Sequence, residues 1–217
     1  MTKSIDMKKM SVFKNIPVGT RAIATLFSGL VSENRKVANL EKEGAIIRLK
    51  KGLYVVNPEE SGILLSMELI ANHLYSPSYV SMLSALRYHG LIPERVEIVQ
   101  SMTTHLTKEF TNALGRFEYH HCDKDYYHIG VEIVQSGDVN FMIAKPEKAL
   151  CDYISYMPNL NLRFFKETYT FLEEDLRFDM DRLVDMDLTV FNECAEKGKK
   201  KHIFKNIIKI IENERNI

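Results

Sequence analysis

The sequence predicts an α+β protein, and three features lead to that class. The first 57 residues hold short helical patterns followed by two β-rich runs around Lys50-Lys51-Gly52. Residues 96–144 are dominated by strand-like runs of β-branched and aromatic residues. From Pro146 onward, apolar residues recur at helical spacing. Together they predict an N-terminal winged helix-turn-helix, then a mixed α/β domain with a helical C-terminal region.

The N-terminal pattern carries the most information. Residues 5–16 place Ile5, Lys9, Val12, Phe13 and Ile16 at helical spacing, and Pro17 and Gly19 end that helix. Thr20 is placed to cap the next one, whose apolar face is Ile23, Leu26, Phe27 and Leu30. Ser28-Gly29-Leu30-Val31 has the length and glycine content of a helix-turn-helix corner. Ser32 then opens a second helix to about Glu43, and Gly44 stops it because glycine takes the left-handed conformation without strain. On a helical wheel Val37, Leu40 and Gly44 fall inward, while Arg35, Ala38, Asn39 and Lys42 fall outward with Asn34 and Lys36 on the flanks. Arginine can give two hydrogen bonds to guanine and asparagine two to adenine, so this face suits a major groove. Residues 45–49 and 53–56 read as a hairpin around the basic turn, with Arg48, Lys50 and Lys51 placed to meet phosphate. The expected DNA-binding set is therefore Asn34, Arg35, Lys36, Asn39, Lys42, Arg48, Lys50 and Lys51. The plainer reading of the same residues is a solvated basic face on a helix pair that only packs against protein.

At 217 residues the chain is long enough for one large core or two small ones. A hydrophobic content of 45% is ordinary for a globular protein. No apolar run reaches membrane-spanning length, and the start lacks the charged-then-apolar pattern of a secretory signal. Three widely spaced cysteines, Cys122, Cys151 and Cys194, form no CxxC; a reduced, cytoplasmic protein without a structural disulfide is expected. The formal net charge is zero, but residues 1–57 carry +7, residues 58–196 carry −12 and residues 197–217 carry +5. That layout suggests a basic end for a polyanion and an acidic body with another role.

The short polar stretch at 57–62, with Pro58 and Gly62, is the expected boundary between a domain at 1–57 and one at 63–217. A helix is expected from about 63 to 74, and another opening at Ser76-Pro77 and carrying Tyr79, Met82, Leu83, Leu86 and Tyr88. Strands are expected at 96–102, 116–122, 131–135 and 139–144, the last two joined by Ser136-Gly137-Asp138. Val-Glu-Ile-Val-Gln-Ser occurs at both 96–101 and 131–136; the flanks differ, so it reads as reuse of good strand chemistry rather than a repeat. Pro146 opens a helix through Tyr156 in which Lys148 and Asp152 form a surface i,i+4 pair and Cys151 lies on the apolar face. The remainder is helical, acidic over 173–187, with Ile203, Phe204, Ile207, Ile208 and Ile211 on one side of the last helix.

Nothing nominates a catalytic residue. His120, His121 and Cys122, with Asp125 and His128 nearby, are the one metal-like group, but neighbours on a strand point to opposite sides, so no metal is expected. P-loop, GxGxxG and GxSxG patterns do not occur. No cofactor is implied.

Two further motifs carry a family likeness. They are Tyr79-Val80-Ser81-Met82-Leu83-Ser84-Ala85-Leu86 with His89-Gly90-Leu91-Ile92-Pro93, and residues 143–153, Ile-Ala-Lys-Pro-Glu-Lys-Ala-Leu-Cys-Asp-Tyr. With the pattern at 37–44 and 47–54, the chain resembles the AbiEi-type antitoxins, the regulator half of bacterial type IV toxin–antitoxin systems, over nearly its whole length. The resemblance implies a non-enzyme in two parts. The winged helix would bind inverted repeats of double-stranded DNA in its own promoter and repress the operon. The second domain would assist repression and counter a co-encoded nucleotidyltransferase-like toxin, which such antitoxins generally oppose without a stable complex. No catalytic residue carries over, and neither the acidic stretch at 173–187 nor the basic tail matches the family pattern. The competing reading is a protein-interaction module with a structural winged helix, binding a basic partner through its acidic body.

Overall fold

The computed structural model describes residues 2–29 and 32–215, with the side chains of residues 2–5 and Glu33 left aside. The expected roles of Ile5, Leu30 and Val31 therefore lie outside the described residues. The chain is mixed α+β, built on a small antiparallel sheet and a larger mixed one.

The N-terminal part begins with α1 (Thr2–Met10) and a 3-10 turn at Ser11–Phe13, so the leading helix ends earlier than its periodicity suggests. Strand β1 (Val18–Gly19) is followed by α2 (Thr20–Thr25) and α3 (Glu33–Lys42). Gly19, not Thr20, holds the cap position of α2. Gly44 closes α3 at φ +73°, where a side chain would be strained. The hairpin β2 (Ile46–Lys50) and β3 (Leu53–Val56) follows, and β1 pairs with the free edge of β3. Met10, Ile23, Phe27, Val37, Leu40, Ile46, Tyr54 and Val56 form a core of their own. Leu49 and Val55 instead join the larger core of the body, so the hairpin is shared between the two.

Asn57 caps a single helical turn, α4 (Pro58–Ser61), at the expected boundary. Ser66 caps α5 (Met67–Leu74), which starts four residues later than expected. The next segment departs from its expected helix. Ser76-Pro77 is a cis peptide and leads into β4 (Ser78–Val80), so Tyr79 lies on a strand and α6 spans Met82–Tyr88 only. The apolar run at 78–80 is buried on both faces between sheet neighbours, and period alone does not separate such a strand from a buried helix.

The large sheet adds β5 (Ile98–Thr103), β6 (Lys108–Asn112), β7 (Gly115–His121), β8 (Val131–Ser136) and β9 (Val139–Ala144) in the order β6-β7-β5-β4-β9-β8. Strand β6 was not expected: exposed polar Lys108, Glu109 and Thr111, spread over both of its faces, dilute the apolar signal. The pairs β5–β7 and β4–β9 are parallel and the others antiparallel. Tyr119 on β7 sends its hydroxyl to the Ala71 carbonyl of α5 (2.7 Å), while its neighbour His120 stacks near Tyr156 on the opposite face. Helix α5 thus covers one face. The other takes α8 (Pro146–Tyr156), backed by α11 (Leu188–Lys197) and α12 (Lys201–Arg215). Between these lie α7 (Lys124–Tyr127), α9 (Phe165–Thr170), a π-turn at Phe171–Asp175 and α10 (Met180–Leu183).

Lys148 and Asp152 are not a surface pair. Both are fully buried, with Nζ 3.1 Å from Oδ1. The wheel gives their i,i+4 relation but not the solvent side, because α8 is covered on both flanks by the sheet and α11. Ser81 and Tyr79 donate to Asp152 Oδ2 at 2.6 and 3.1 Å, and Lys148 donates to the Tyr126 carbonyl (3.0 Å) above the Tyr126 ring. Burial and the Asp152 charge push the Tyr79 hydroxyl well above its usual pKa, so it remains a donor. Cys151 is fully buried, as the helical face requires. No described helix is long and apolar enough to cross a membrane.

Removing one member of a buried pair strands the other charge. Asp152→Ala should lower stability by about 3–5 kcal/mol in urea denaturation, and the double change Lys148→Met with Asp152→Leu by clearly less.

Candidate nucleic-acid interface

Helix α3 turns Val37 and Leu40 into the small core and Asn34, Arg35, Ala38, Asn39 and Lys42 to solvent. Among the described residues, the side chains of Asn34, Arg35, Asn39 and Lys42 have no hydrogen-bonding or ionic partner. They form one outward face on a helix whose inner face is anchored.

The flanking residues behave differently. Lys36 is three-quarters or more buried and pairs with Asp6 of α1 while lying 5.4 Å from the Phe27 ring. Lys9 of α1 caps the other side of Phe27, at 5.2 Å, and donates to the Leu26 carbonyl at 3.2 Å. These two lysines hold α1 against α2 and α3. Lys36 is therefore placed as an anchor of the small core rather than on its outer face.

The hairpin divides its three cations. Arg48 donates to Glu41 of α3 at 2.6 Å and lies over the Tyr54 ring; the Glu41 hydrogen bond raises its pKa further. This clasp ties β2 to α3 at the surface. Lys50 points the other way, into the body, where it donates to the Leu74 carbonyl at 2.6 Å and sits 5.9 Å from the Phe110 ring. Burial lowers its pKa, with Lys108 nearby adding to the effect. Phosphate contact by Lys50 therefore does not fit its place. A β-bulge lies between Arg48 and Lys50, and it lets the two side chains diverge in a way that strict alternation does not foresee. Lys51, at the turn, is exposed and unpaired among the described residues.

Sequence reading missed Arg21. The Thr20 N–H donates to the Gly52 carbonyl (3.0 Å), which brings the start of α2 against the hairpin tip. Exposed Arg21 thereby joins Lys51 at one edge of the candidate interface. The signal was a short β1, too small to be read from two residues.

The interface is held to the body at a polar seam. Lys14 pairs with Asp138 (2.7 Å), Asn15 donates to the Leu64 carbonyl (3.1 Å), and Asn112 donates to the Leu49 carbonyl (3.1 Å). Lys14 holds the Asp138 carboxyl below its usual pKa.

The metal-like group is dispersed. His120 faces Tyr156 and Glu118, with burial lowering its pKa; His121 is exposed and bonds the His105 carbonyl through Nδ1. Burial pushes the Cys122 thiol up to about 12, so it is protonated at neutral pH. Among the described residues no three of His, Cys, Asp and Glu are grouped to hold a metal ion. In the acidic stretch, Asp179 and Asp187 cap α10 and α11, while Glu173, Glu174, Asp175, Asp181 and Asp185 are exposed.

The two neighbouring hairpin lysines should separate cleanly. Lys50→Ala should cost about 1 kcal/mol and speed amide exchange along β2, because a charged hydrogen bond across the seam is lost. Lys51→Ala should leave both unchanged.

No protein-family model matches the chain, and no curated protein matches it.

Proposed function

We propose that the chain is a DNA-binding transcriptional autorepressor and antitoxin of a bacterial type IV toxin–antitoxin system, without catalytic activity of its own. The observation that carries the DNA-binding part is the outer face of α3. Arg35, Asn39 and Lys42, with Asn34 beside them, stand unpartnered on a helix fixed by its buried side. The three helices and hairpin around them support reading the N-terminal unit as a winged helix-turn-helix in which α3 would be the groove-reading helix. Exposed Lys51 and Arg21, near each other where the start of α2 meets the hairpin tip, would meet phosphates of the duplex. The charge of +7 over residues 1–57 favours a polyanion on that side.

The antitoxin part rests on the resemblance. Its two more specific motifs, at 79–93 and 143–153, meet in one buried cluster, where Tyr79 and Ser81 donate to Asp152. That contact supports reading them as one structural device of the body. The body would assist repression and counter the co-encoded nucleotidyltransferase-like toxin. The exposed acidic residues between 173 and 185 favour one alternative, a module that binds a basic protein partner while its winged helix stays structural.

The test is a gel shift on the DNA upstream of the chain's own gene, with unrelated DNA as competitor and salt varied. Specific retardation is expected. Arg35→Ala should relax preference at one base pair by about 1–3 kcal/mol. Lys51→Ala should weaken binding to every sequence and lower the salt slope by roughly one. Lys50→Ala should leave that slope as it was. Absence of binding at low salt would overturn the repressor reading and leave the interaction module.

A further inference from the structure

The large sheet has two edges, and they are treated differently. On the β6 edge, the N-terminal hairpin lies close: Asn112 bonds the Leu49 carbonyl, and Lys50 lies over Phe110. Exposed Lys108 and Glu109 add charge there. The β8 edge is less protected, although Lys14 of the N-terminal unit pairs with Asp138 in the turn just beyond it. Its six residues hold one charge, Glu132, and no proline, and its register with β9 runs without a bulge. Ile133, at its centre, is 72% exposed.

The backbone groups open on that edge can be named. The Lys145 N–H donates to the Gly130 carbonyl (2.8 Å), one step beyond the Val131–Ala144 pair. Hydrogen-bonded pairs alternate in an antiparallel ladder, so Glu132, Val134 and Ser136 exchange bonds with β9. A second observation agrees. The N–H and carbonyl of Met142, opposite Ile133, are taken by the Asn72 side chain on the other side of β9. Val131, Ile133 and Gln135 therefore direct their N–H and carbonyl groups outward, away from β9.

The hexapeptide that recurs in the chain shows what those groups do when a neighbour is present. In β5 the same Ile-Val-Gln-Ser, residues 98–101, pairs with β7 along its length. Its other side is also satisfied, by Ser84 Oγ at Ile98 and Gln100, by the Ser81 N–H at Gln100, and by β4 at Ser101. In β8, residues 133–136 have one neighbouring strand only.

We propose that β8 is a homodimerisation edge, on which a second copy of this chain pairs antiparallel through its own β8 about a two-fold axis at Ile133. In that register Val131 meets the partner's Gln135 and Ile133 meets the partner's Ile133, and the outward groups form a continuous ladder. Ile133 covers the partner's Ile133, and Glu132 stands opposite the partner's Val134, so no like charges face each other directly. The result is one sheet running through both copies. Such a ladder is smaller than the roughly 1,200 Å² of a stable interface, so the pairing is weak and concentration-dependent. Two copies on one DNA would meet at a much higher effective concentration. The pairing in solution stands apart from the DNA reading.

The test is sedimentation of the full chain, without DNA, across the micromolar-to-millimolar range. Reversible dimerisation is expected for the native chain. Ile133→Pro deletes an N–H that the β9 ladder does not use, and Ile133→Lys adds a charge at the axis; both should remain monomeric at every concentration with an unchanged thermal melt. As an independent readout, Glu132→Cys with Val134→Cys sets thiols opposite each other at a non-hydrogen-bonded pair, within disulfide reach. Mild oxidation should give a covalent dimer of this variant, and Glu132→Cys alone should give none; the native cysteines are buried. A native chain that stays monomeric throughout, or Ile133 variants that dimerise as well as the native chain, overturns the proposal.

Discussion

The body of the protein depends on one buried charge pair. Lys148 and Asp152 lie one turn apart on α8 with no exposure to water. Two charges in a low-dielectric interior persist only when each is paired and its remaining groups are hydrogen-bonded. Asp152 takes its bonds from Tyr79 and Ser81 at β4, and Lys148 donates to the Tyr126 carbonyl at α7. The pair therefore fixes how α8, β4 and α7 meet. Gly130 packs so closely on Lys148 and Val190 that a side chain there would need both to move. An ion pair of this kind need not raise net stability relative to apolar residues; its consequence is that the surrounding elements have few alternative arrangements.

From that fixed body the N-terminal unit takes its orientation. It has its own small core, but Leu49 and Val55 of the hairpin belong to the large one. The polar ties around this shared strand include Lys50 to Leu74 and Asn112 to Leu49. Lys14 to Asp138 and Asn15 to Leu64 add a second line of contact. The outer face of α3 is consequently carried on a seam rather than on a free linker. Strand β2 links the body to α3, since its Lys50 faces inward while its Arg48 clasps Glu41 of α3.

The cations of the N-terminal unit accordingly serve two purposes. Lys9, Lys36 and Lys50 spend their charge on protein carbonyls, a carboxylate and ring faces. Arg35, Lys42, Lys51 and Arg21 present theirs to solvent. A net charge of +7 therefore overstates what is available to a ligand.

The sequence by itself determined what depends on local spacing. Helical periodicity put Val37 and Leu40 inside and Arg35, Asn39 and Lys42 outside, because a wheel needs only the 3.6-residue repeat. The same rule assigned Ile203, Phe204, Ile207 and Ile211 to the buried side of the last helix. Turn residues at 136–138 marked the β8–β9 hairpin, and Pro146 marked the start of α8. Tertiary structure decided everything that depends on what lies opposite. Residues 78–80 became a strand because β5 and β9 take both of its edges. Lys148 and Asp152 went inward because α11 covers the flank that the wheel leaves open. Lys50 and Arg48 diverged at a bulge, and a two-residue strand brought the start of α2, with Arg21, against the hairpin tip. Burial, pairing and edge exposure are relations between distant segments, and a local repeat carries no record of them.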